Sequence, residues 1–90
     1  MNNGLRKYGM TIDDYEWMLA LQDGKCAICS VEPDPNGIKA ASRLHVDHDH
    51  DGNFVRKLLC NRCNMGIGYM RDDPIILRAA ADYIEAHQLT

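Results

Sequence analysis

The side chains able to do chemistry in this chain fall into two groups. Cys26 and Cys29 form one Cys-x-x-Cys pair and Cys60 and Cys63 another, and together they use every cysteine present. Between them runs Leu44-His45-Val46-Asp47-His48-Asp49-His50, a cluster of imidazoles and carboxylates. Thiolates suit a soft, tetrahedral cation, and two knuckles with no cysteine left over read as a closed structural zinc site. Redox-active or unpaired thiols are the alternative. The His/Asp run is chemically different. Its oxygens suit a hard divalent ion and its imidazoles suit proton transfer.

Hydrolysis of a phosphodiester needs a base for the attacking water and a cation for the charge on the phosphate and the leaving oxygen. Asp47 offers one oxygen to such a cation. Asn64, directly after Cys63, offers a second through its amide carbonyl, and His48 beside Asp47 can face the water. This is the set of groups a ββα-metal nuclease requires. His45 shares the face of Asp47 in a strand and reads as a supporting or DNA-proximal residue. Asp49 and Asp51 read as turn residues, and His87 as a packing or surface residue.

A net charge of −3 is unhelpful for binding nucleic acid, but the charge is unevenly spread. From residue 39 to 71, Lys39, Arg43, Arg56, Lys57, Arg62 and Arg71 outnumber Asp47, Asp49 and Asp51, so the segment with the His/Asp run is basic and the rest acidic. Arg43, Arg56, Lys57 and Arg62 are the candidate phosphate contacts, which would give affinity without sequence choice. An ordinary mixed surface is the plainer alternative.

The elements that must position these groups are legible in outline. Residues 1–10 read as a poorly fixed lead-in. Thr11 and Asp14 form an Asp variant of a capping box, and Ile12, Tyr15, Met18, Leu19 and Gln22 recur at helical spacing, which predicts a helix running to Asp23-Gly24. Trp17 falls off that stripe. Residues 30–42, with Pro33, Pro35 and Asn36-Gly37, read as a loop. Leu44–Asp47 and Phe54–Arg56 read as strands around an Asp51-Gly52 turn, with Leu44 and Val46 toward the core and His45 and Asp47 on an open face. The second knuckle leads into a short helix through Met70. Gly66 and Gly68 weaken it, and either allow close approach of another backbone or DNA or mark its end. Tyr69 and Met70 read as core. Asp73 and Pro74 start a last helix, with Ile76, Ala79, Ala80, Tyr83, Ile84 and His87 as its buried stripe.

Ninety residues make one domain, here 1–90, with no repeat, no low-complexity stretch and too small an apolar core to be comfortable without a metal or a cross-link. The polar N-terminus has no secretory pattern and no apolar run approaches membrane length, so an intracellular, cytoplasmic location is expected.

Taken together, Cys26-Ala-Ile-Cys29, Leu44-His-Val-Asp-His-Asp-His50 and Leu59-Cys-Asn-Arg-Cys-Asn64 resemble the HNH endonucleases of the phage recombination endonuclease VII family. The lead-in Arg6-Lys-Tyr-Gly9 and the tail from Asp72-Asp-Pro74 extend the resemblance over most of the chain. It implies a structural zinc on the four cysteines, a catalytic Mg2+ or Mn2+ on Asp47 and Asn64, His48 as general base and His50 as a further active-site residue. It also implies products bearing a 3′-hydroxyl and a 5′-phosphate, and a host-cytoplasm location if the chain is phage-encoded. Two departures stand out. Ile67 occupies a position where endonuclease VII is acidic, and the long C-terminal extension that builds its intertwined dimer is not found before Thr90. A monomeric nicking enzyme or a weak, non-selective nuclease is expected at least as much as a junction resolvase.

The expected fold is a small α+β, zinc-stapled ββα-metal (His-Me finger) fold, a β-hairpin plus helix with flanking N- and C-terminal helices. The expected activity is metal-dependent hydrolysis of DNA phosphodiesters with one catalytic cation. The alternative is a zinc-stabilised DNA-binding module, or a degenerate binder of branched DNA that does not cut.

Overall fold

The computed structural model describes residues 9–33, 43–49 and 54–88. The elements in chain order are α1 (Ile12–Leu21), β1 (His45–His48), β2 (Val55–Leu59), α2 (Asn61–Tyr69) and α3 (Pro74–Ala86). Helix α1 starts as the residues predict. The Thr11 hydroxyl accepts from the Asp14 amide, and the Asp14 carboxylate accepts from the Thr11 amide. It stops at Leu21, slightly early, because Asp23 and Gly24 turn left-handed (φ 55° and 71°) and the Gly24 amide closes back on the Leu19 carbonyl. Tyr15, Met18 and Leu19 pack from this helix onto the core, and Trp17, off the stripe, is exposed.

β1 and β2 pair antiparallel as a two-stranded sheet. A two-stranded sheet alone is marginal, so its edges matter. The outer edge of β2 is closed by side chain and knuckle. The Leu58 amide donates to Gln22 Oε1 at 2.9 Å, and the Leu58 carbonyl accepts from Gln22 Nε2 at 2.9 Å and from the Ala27 amide at 3.1 Å. Gln22 thus pairs with a peptide much as a third strand would. Leu58 is fully buried, so Gln22→Ala should strand its amide and cost about 2 kcal/mol of stability. Denaturant titration of the metal-loaded protein would measure that loss.

Leu58 and Leu59 are both buried although neighbours in a strand point to opposite faces, so both faces of β2 are covered at this end, with α1 and α2 packed against it. Among the described residues the buried apolar core is Cys26, Leu44, Leu58, Leu59 and Cys60, with Val46, Cys63 and Ile67 partly buried around it. Two of these five are cysteines, so the core is organised on the thiol cluster.

Four expectations need correcting. Asp47 does not lie on an open face: it is 7% exposed. Between Val46↔Leu58 and His48↔Val55 the sheet advances two residues on β1 and three on β2, so Asp47 faces both Arg56 and Lys57. This bulge breaks the strict alternation that the spacing implies. Tyr69 and Met70 are exposed, not core, because they fall at the end of α2, beyond its last inward residue, Ile67. Along α3, Ile76, Ala79, Tyr83, Ile84 and His87 are exposed and only Leu77 and Ala80 are half-buried, so the stripe has no partner among the described residues. Gly66 and Gly68 sit inside α2 with open space where a Cβ would lie, so neither ends the helix nor admits a close neighbour within the described chain. The Pro35, Asn36-Gly37 and Asp51-Gly52 turns, Lys39 and His50 lie outside the described residues.

Candidate active site and thiol cage

The four cysteines converge from two knuckles. The first is shaped by a Cys26 amide bond to the Val31 carbonyl and a Ser30 amide bond to the Cys26 carbonyl, with Ser30 left-handed at φ 65°. The second is built into a helix start: Cys60 is the N-cap of α2, its Sγ accepting from the Cys63 amide at 3.5 Å. All four Sγ atoms lie within 4.8 Å of one another, and Cys29 and Cys60 Sγ are 3.7 Å apart. Tetrahedral zinc with bonds of about 2.3 Å needs sulfur–sulfur edges of about 3.8 Å, which the Cys29–Cys60 edge matches and which the spread of the whole cluster can accommodate.

Electrostatics within the cluster are divided. Burial works against ionising Cys26, but amide hydrogen bonds from Cys29, Cys60 and Ile28, with the Cys29 thiol, draw it down to about 6. Burial and hydrogen bonding with the Cys60, Cys29 and Cys26 thiols push Cys63 up to about 12. Burial and the unequal sharing of hydrogen bonds among the thiols thus draw one down and push another up.

The second group sits on β1 and the first turn of α2. Asp47 and His48 are adjacent on β1, which packs against α2, and Asn64 is the residue after cage member Cys63. The Asn64 amide bonds the Cys60 carbonyl at 3.0 Å, so the thiol knuckle fixes the backbone that carries it. His48 and Asn64 are half-buried. Among the described residues the cysteines are the sole set of three or more His, Cys, Asp or Glu donors that converge on one point. Asp47 and the side-chain carbonyl of Asn64 are oxygen donors carried on two elements that pack together, and donors of that type suit a hard cation retaining waters and substrate oxygens.

Asp47 is already engaged. Arg56 Nε donates to its Oδ2 at 2.6 Å and Nη2 to its Oδ1 at 3.1 Å. The other edge of the guanidinium donates to Asp72, Nη1 to Oδ2 at 3.1 Å and Nη2 to Oδ1 at 3.0 Å. These bonds, to Asp47 and then to Asp72, push the guanidinium's high pKa higher still. Arg56, read from the sequence as a phosphate contact, spends four N–H bonds on two carboxylates. Arg43, Lys57 and Arg62 are exposed.

Asp72 is the residue that sequence reasoning missed. It read as part of a helix start, yet Asp73 alone caps α3, accepting from the Ile75 amide at 2.9 Å. The signal was a second aspartate with no capping task. His45 is half-buried with its Nε2 buried and unpartnered, so it lies off the open face expected for it. Ile67 packs against the core, which accounts for an apolar residue at that point of α2. His87 is a surface residue, its Nδ1 2.9 Å from the Tyr83 carbonyl and its ring 4.6 Å from that of Tyr83.

The sequence model for recombination endonuclease VII matches residues 1–86. The chain belongs to the recombination endonuclease VII family. It is 42% identical over 81 residues to the Gene 59 protein of Mycobacterium phage D29, covering 89% of this chain and 46% of that protein. It is 41% identical over 81 residues to the Gene 59 protein of Mycobacterium phage L5, with the same coverage. This family member thus spans about half the length of those two relatives. Among the described residues, no helix is long and apolar enough to cross a membrane.

Proposed function

We propose that this endonuclease VII family chain is a zinc-stabilised DNA endonuclease of the ββα-metal type, with residues 1–90 acting as one unit. The four thiols hold zinc. Asp47 and the Asn64 carbonyl hold a catalytic Mg2+ or Mn2+, His48 is the general base, and His50 is a further active-site residue. The observation that carries the reading is the placement of Asp47 and His48 side by side on a strand packed against the helix whose start is both thiol knuckle and mount for Asn64.

When bound, the divalent ion neutralises charge on the phosphate and on the departing oxygen. The imidazole of His48 takes a proton from water as the water oxygen bonds to phosphorus in line. The bond from phosphorus to the 3′ oxygen breaks, and that oxygen leaves as an alkoxide that takes a proton from solvent water to become the 3′-hydroxyl, with the phosphate on the 5′ side. Arg43, Lys57 and Arg62 contact neighbouring phosphates from the exposed surface.

Supercoiled plasmid tests the reading against a binder that does not cut. Nicking is expected with Mg2+ or Mn2+, and none after EDTA at a dose that leaves the zinc in place. An intact plasmid with retarded mobility under all conditions would replace the nuclease with a DNA-binding module.

A further inference from the structure

We propose that Arg56 is a resident counter-ion that competes with the divalent cation for Asp47, and that Asp72 sets the outcome of that competition. The inference rests on the reading of Asp47 as a metal ligand and adds a control to it. The geometry is specific. Arg56 covers both oxygens of a carboxylate whose side chain is only 10% exposed, and its other edge is clamped by Asp72. Asp72 does not reach this position cheaply. Arg71 and Asp72 are consecutive non-glycine residues in the left-handed region, at φ 63° and 54°. Such residues are disfavoured there, and here the turn is held by the Asp72 amide on the Ile67 carbonyl at 2.8 Å and by the Arg56 pair.

Charge counting gives each residue an opposite sign. The triad Asp47–Arg56–Asp72 carries one net negative charge, which attracts a cation only weakly. Removing the guanidinium leaves two negative charges and an uncovered Asp47. Removing the Asp72 charge leaves a neutral pair, with the guanidinium turned wholly onto Asp47. A unit charge a few ångströms from a divalent ion has a large effect even at high dielectric. Arg56→Gln should therefore tighten divalent binding about tenfold, and Asp72→Asn should weaken it about tenfold, each about 1.4 kcal/mol. Asparagine also tolerates the left-handed backbone, so the second change removes charge with little change of shape.

The test is Mn2+ binding to zinc-loaded protein, followed by the loss of the free-ion electron paramagnetic resonance signal. Thiolates prefer zinc, so the cage does not compete for manganese. Both substitutions break the same Arg56–Asp72 pair, so a merely structural role would weaken binding in both. Tightening in Arg56→Gln with weakening in Asp72→Asn supports the proposal. Unchanged or weakened affinity in Arg56→Gln, or unchanged or tightened affinity in Asp72→Asn, overturns it. If Arg56→Gln fails to fold, Arg56→Met replaces it, with the same tightening expected and unchanged or weakened affinity again overturning the proposal. Asp47→Asn separates the layers. If it binds Mn2+ as the parent does, the metal-ligand reading falls and this inference with it. If it loses Mn2+ while the other variants do not diverge, the reading stands and the competition is refuted.

Discussion

Stripping the cation from the thiol cage is expected to unfold this protein outright. Among the described residues Cys26 and Cys60 belong to the buried apolar core and the partly buried Cys63 packs against it, so the thiol cluster is built into that core with only Cys29 exposed. A structural zinc in a small finger contributes about 10–16 kcal/mol, against about 5–15 kcal/mol for the total stability of a typical domain. Helix α2 has no acidic side chain in its first turn and takes its cap from Cys60, so it loses its start along with the ion. A strong chelator should abolish the far-ultraviolet helix signal and collapse amide chemical-shift dispersion, and Cys60→Ser should do the same without chelator. Retention of dispersion by metal-free protein would refute this. Binding must also strip the proton from Cys63, which burial and its thiol neighbours hold up to about 12. Protons therefore compete with the ion, and less chelator should suffice as the pH falls.

The second large effect concerns the base. Positioned proton transfer is worth about 10²–10⁴ in rate, so His48→Ala should lower plasmid nicking by that factor while Mn2+ affinity stays near the parent's. Asp47→Asn should lose both. Separating the two readouts makes the assignment sharp: a base affects turnover alone, and a ligand affects binding first. A His48→Ala variant that nicks at the parental rate would transfer the role of base to another group. Supplying imidazole to the variant offers a further check, since partial recovery is expected only where a missing ring is the cause.

The legible parts of the fold were those with a local cause. The Thr11–Asp14 box, the Asp73-Pro74 start and the cysteine knuckles each follow from a few adjacent residues, and all appear as read. What failed had a non-local cause. Simple alternation put Asp47 on an open face, but an extra residue on β2 turns it into contact with Arg56, and nothing in the sequence of β1 announces an irregularity in its partner. The apolar spacing of α3 predicted burial, yet a stripe says only that a face is apolar, not that something covers it. Likewise, Arg56 carried a charge suited to phosphate, and only the approach of Asp72 from beyond α2 reveals where its donors go. Residue types named the chemical groups worth placing, while their pairings came from the folded chain.

β2 ends at Leu59, Cys60 caps, and α2 begins at Asn61, with no spacer between sheet and helix. The joint behaves as a weld. The separation of strand and helix is a fixed inheritance, set by bond geometry and by whatever fills the gap beneath, where Ile67 lies. Anyone wishing to shift helix against strand has no loop to lengthen and must instead reshape the wedge.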